Sequence, residues 1–231
     1  MQPRGLGCSG LRSARVPCGA TRQNLVIHVL WALLLVGLAA PSAEAHDMRQ
    51  PIPILLDRMY GVLLLLEGGK TDEAIYLIGT VEELLQAKGL LGLTQTAAKL
   101  DQAYRTAVAD EVGSAIAARD AARLKSVIYS LTYLLMLEKL DQLTAMLPNR
   151  NVKPETRKVV MDLARDYFSH IFEETFGRRR SAQVKAVEQI LDRMDSAVRQ
   201  QAAPQFEHLR RQLSQALLSH FAAELLPGLP G

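Results

Sequence analysis

The stretch "VIYSLTYLLML", Val127 to Leu137, holds eleven consecutive residues without a charge. Charged residues and strong helix formers flank it on both sides, so the helix extends from about Asp120 to Leu147. A helix that is apolar all round needs neighbours on several sides. This segment is therefore expected at the centre of a helical bundle, with the rest of the chain laid against it.

The rest reads the same way. Alternation at strand period is absent and paired β-turn signals are scarce. A first helix is expected over Pro53 to Glu67, ended by Gly68-Gly69. A second starts at Thr71 or Asp72, whose side chains suit an N-cap, and stops at Gly89 after Lys88. A third spans Thr96 to Ala118, with Leu100, Ala103, Tyr104, Ala107, Val108, Val112 and Ile116 at helical spacing. After the central helix, "PNRNVKP" (Pro148 to Pro154) is the best linker. A fifth helix follows from Pro154 to Phe176, and a sixth is capped by Ser181 with a stripe from Val184 to Val198. A seventh opens at Pro204 and ends before Pro227, leaving "LPGLP" as a frayed tail. The fold class is all-α: an antiparallel bundle of about seven helices. It reads as one domain over 46–231, with 51–147 and 154–226 as conceivable sub-units. The first two helices resemble one tetratricopeptide-type hairpin. No second copy follows at that repeat's period of about 34 residues, so a repeat array is not expected.

Before this bundle comes a different kind of segment. Residues 1–24 carry four arginines and no acid, residues 25–40 are apolar except for His28, and "AEA" precedes His46. A basic region, an apolar core and an A-x-A end are the parts of a secretory signal peptide. Cleavage is expected after Ala45, and the protein is expected in the periplasm or outside the cell. An uncleaved leader would instead anchor it to the membrane. Cleavage removes both cysteines and Trp31. It takes four of 27 basic and one of 24 acidic residues, which leaves 23 of each in a chain of 186. A neutral, cysteine-free chain gives no global signal for nucleic acid and has no thiol chemistry.

No nucleotide-binding or nucleophile motif is present, so binding is expected over catalysis. The leading expectation is an exported accessory module that binds a protein partner or ligand through helix faces or a groove. The alternative is a metal-binding bundle. On the fifth helix His170 and Glu174 lie one turn apart, and on the seventh His220 and Glu224 do the same. Imidazole and carboxylate at that spacing can chelate one ion, with iron or copper as the candidates. Cleavage would also make His46 an amino-terminal residue, whose amine and imidazole can hold copper. His208 falls on a polar face and is expected in solvent, as are Glu82-Glu83 and Glu173-Glu174. Phe168, Phe172 and Phe176 step by four, and such a stripe drifts round an α-helix by roughly 40° per step. Part of it is therefore expected at the surface. Tyr129 and Tyr133 are expected to make buried hydrogen bonds. "GRRR", Gly177 to Arg180, is expected to complement a helix dipole.

Intact-mass analysis of protein exported with its own leader should give a chain beginning at His46. A mass retaining residues before Pro41 would contradict the cleavage reading and make the protein membrane-anchored.

Overall fold

The structure is a computed structural model that describes residues 53–231. The leader, the expected cut after Ala45 and His46 lie outside the described residues. Those described fold entirely as helices, with no strand among them.

The elements are α1 (Ile54–Glu67), α2 (Thr71–Ala87), α3 (Leu93–Tyr104), α4 (Val108–Ala118) and α5 (Ala121–Met146), followed by α6 (Pro154–Tyr167). α6 runs on through a π turn (Phe168–Glu173) and a last α turn (Glu174–Phe176). α7 (Ser181–Arg199) and α8 (Ala203–His220) complete the set. No helix among the described residues is long and apolar enough to cross a membrane.

α5 is the centre. Every residue from Val127 to Leu137 is buried, because α1, α3, α4, α6, the π turn and α8 all pack on it. Its polar groups are satisfied locally or used as anchors. Thr132 Oγ1 donates to the Ile128 carbonyl at 2.8 Å. Ser130 Oγ accepts the Leu226 N–H at 2.8 Å, and the Tyr133 hydroxyl donates to the Pro230 carbonyl. The chain end expected to fray is therefore docked. Two buried hydroxyls on α5 hold its backbone, and Phe221 and Leu225 are buried beneath it. The linker 148–154 joins helices of one hydrophobic cluster, since Leu147 before it and Val160 after it both belong to that cluster.

The expected third helix is two. Arg105 takes a left-handed conformation (φ 57°), and the chain turns there. Asp101 makes the turn favourable. Its Oδ1 accepts from Thr106 Oγ1 at 2.5 Å and from Val108 N at 2.8 Å, and its Oδ2 accepts from Ala109 N at 2.7 Å. One carboxylate at the end of α3 thus satisfies two of the free amides that open α4. Glu82 acts likewise for α3. Its Oε1 accepts the Thr94 N–H at 2.6 Å, so it is a cap and not a solvated charge. A Cβ at Gly92 would lie 1.6 Å from Glu82 Oε2, so any larger residue there would displace the capping carboxylate. Asp120 caps α5 through Arg123 N at 3.0 Å. Thr71 and Ser181, by contrast, open their helices with no side-chain capping bond.

The phenylalanine stripe is buried throughout, with Phe168 and Phe172 at 0% and Phe176 at 6% exposure. The π turn explains this. In it each N–H reaches five residues back, so a turn takes up more residues than in an α-helix. A four-residue step then stays on one face. Phe172 and Phe176 meet Phe221 at ring-centroid distances of 5.0 and 5.2 Å, and Tyr129 meets Phe176 at 5.2 Å. Arg157, on the buried face of α6 one turn before Val160 and Met161, is only 1% exposed. Its Nε and Nη1 make no hydrogen bond.

Asp101→Ala should lower stability by about 1–2 kcal/mol, the cost of losing a strong cap. This would appear as a lower urea midpoint with an unchanged slope. An unchanged midpoint would refute the role given to Asp101.

Candidate functional site

The two expected His/Glu pairs sit in different surroundings. His170 lies in the π turn, with Nδ1 3.5 Å from Glu174 Oε1 and its ring 5.2 Å from that of Tyr60 on α1. A hydrogen bond to Glu174, followed by burial, raises the Tyr60 phenol above its ordinary value. Glu174, in the α turn that follows the π turn, therefore faces Tyr60 of α1. Its neighbour Glu173 faces Glu188 on α7. Burial first, and then the Glu173 charge, raise the Glu188 carboxyl.

On the other pair, Glu224 is already engaged. Arg180 grips both its carboxylate oxygens, donates to the His220 backbone carbonyl at 2.9 Å, and lies over the Phe176 and Phe221 rings at 5.3 and 5.9 Å. That is the role of "GRRR": one of its arginines closes the aromatic cluster by a bidentate ion pair and cation–π contact. Among the described residues, no three His, Cys, Asp or Glu side chains converge as a metal site would require. The structure brings His170 to Glu174 but does not bring that pair together with His220 and Glu224. His208 is exposed and meets only Gln212, at 2.9 Å.

A different site emerges at the N-terminal hairpin. The described residues expose five large apolar side chains: Leu64, Tyr76, Leu84, Leu90 and Leu91. All lie on α1, on α2 or in the loop after α2. Leu90 and Leu91, 48% and 49% exposed, stand at the mouth of a cleft of about 430 Å³. One wall is Pro53, Ile54 and Leu55 at the start of α1. Leu85, Leu100, Leu135 and Tyr167, from α2, α3, α5 and α6, complete the apolar lining.

Charged groups from α3 and α5 also line it. Glu138 on α5 accepts from Lys99 on α3 through Oε1 and from its neighbour Lys139 through Oε2, the latter at 3.2 Å. Burial alone would raise the Glu138 carboxyl, but the two lysines outweigh it and hold it below its ordinary value. Burial, with help from the Glu138 and Asp166 charges, pushes the Tyr167 phenol up to about 12. At neutral pH the cleft thus carries two ammonium groups, one carboxylate and a neutral phenol. A second cleft, of about 530 Å³, runs between the start of α4 and the docked chain end. There Arg123 is already paired with Glu111.

Sequence reasoning did not find the first cleft. Its lining comes from five separate helices and a loop, and no two of its polar residues form a motif. The one visible signal was "GLLGL", Gly89 to Leu93, an apolar run placed in a turn where burial is least expected.

No known family model, curated protein or solved structure matches the chain. A reading of function therefore rests on these residues and their geometry.

Proposed function

We propose that this protein is an exported helical binding module, and that the cleft beside α1, α2 and the Leu90-Leu91 loop receives an apolar group of its ligand. The observation that carries the reading is the pair Leu90 and Leu91, half exposed beside a concave apolar surface of about 430 Å³. Scattered apolar residues on a surface need no explanation, but two adjacent exposed leucines on the lining of a cleft support a binding site. The volume falls within the range of small-molecule pockets, roughly 300–1,000 Å³.

The chemistry elsewhere favours binding over catalysis. Glu224 and Arg180 serve each other, Asp101 and Glu82 serve helix ends, and Tyr133 and Ser130 serve the chain end. Each of these polar groups has a structural task. The cleft reaches the core through Leu135 on the central helix and through Leu100 and Tyr167.

A neutral apolar dye such as Nile red should bind the full chain and brighten. A Leu90→Asp/Leu91→Asp variant should lose most of that signal while its helical circular dichroism is unchanged. An equal dye response from this variant would contradict the assignment of the cleft.

A further inference from the structure

We infer that the cleft ligand is a long-chain aliphatic carboxylate: an apolar tail against the leucines, with its anionic end at Lys99 and Lys139. This rests on the reading of the cleft as the binding site and adds the chemistry of the ligand. Polarity is unevenly distributed over the lining. The walls from α1, α2 and the following loop offer only apolar side chains. The charged groups, Lys99, Glu138 and Lys139, stand together on α3 and α5. A ligand that satisfies both sets of side chains has an apolar body and a single polar end.

Charge fixes the sign of that end. Among the lining residues two ammonium groups share one carboxylate, a balance of one positive charge. Each ammonium carries three N–H donors, and the bonds to Glu138 use one apiece. Donors remain on both lysines for a second carboxylate. Lys99 is the accessible one, with its side chain 56% exposed, whereas Lys139 and Glu138 are each at 19%. The incoming group therefore meets Lys99 first. Tyr167 adds a neutral phenol at the same end of the lining, not a competing charge, because its proton is retained until about pH 12. A cationic head would face the two ammoniums. An uncharged head would gain no ion pair from them.

Isothermal titration of the full chain with dodecanoate, dodecanol and dodecyltrimethylammonium, each kept below micelle formation, tests this. Dodecanoate should bind about tenfold tighter than the other two, the size of one charge-assisted hydrogen bond. The Lys99→Gln/Lys139→Gln variant should lose that preference and keep a weak affinity for all three. Glu138→Gln should tighten dodecanoate binding, since the competing carboxylate is gone. Equal binding of all three compounds would overturn the carboxylate assignment and leave the apolar cleft standing. Failure of all three to bind would overturn the cleft reading itself. A carboxylate preference that survives the double lysine substitution would place the ligand elsewhere and overturn the inference.

Discussion

A helix with eleven uncharged residues in a row has no face to offer to water. The fold answers that constraint by surrounding α5. α6 lies along it as the returning arm of a hairpin, α1 and α4 cover two further sides, and the π turn and α8 close the remainder. Everything else depends on this enclosure. The aromatic cluster of Phe172, Phe176 and Phe221 packs on Tyr129 of α5. The chain end is held by Ser130 and Tyr133 of the same helix. The floor of the cleft includes Leu135, and its charged wall includes Glu138 and Lys139, where α5 regains its charges.

The enclosure also explains two local departures from regular helix. A continuous α-helix after Pro154 would rotate its phenylalanines away from α5, and the π turn keeps them on one face. A continuous helix over 96–118 would carry the chain past α5, and the left-handed Arg105 with the Asp101 cap folds it back. In each case a backbone irregularity is offset by burial or by a multiply bonded carboxylate. Arg180 plays the same part where it pairs with Glu224 and lies over the rings of Phe176 and Phe221.

The fold was largely legible because its signals are periodic and local. The charge-free run marked the centre, and glycines and prolines marked most boundaries. What escaped was produced by contacts distant in sequence. Nothing in "LDQAYRTAVADE" says that Asp101 will reach forward to Val108, since the spacing is also that of an unbroken helix. The tail looked frayed because its partners, Ser130 and Tyr133, lie about a hundred residues away. Arg157 sits on a buried face that charge alone would have assigned to solvent. The site was legible only in part. The spacing of His170 and Glu174 gave a real contact, 3.5 Å apart. The spacing of His220 and Glu224 could not reveal that Arg180 takes the carboxylate. The cleft was invisible because convergence of five helices leaves no local pattern.

Native-state hydrogen exchange tests the central claim most directly. If α5 is the enclosed element on which the other helices depend, the amides of Val127 to Leu137 exchange slowest of all, and only through global unfolding. Their opening free energy would then equal the stability measured by urea. Faster exchange in this stretch than in α7 or α8 would contradict the account, for it would mean that the centre opens while its covering remains folded.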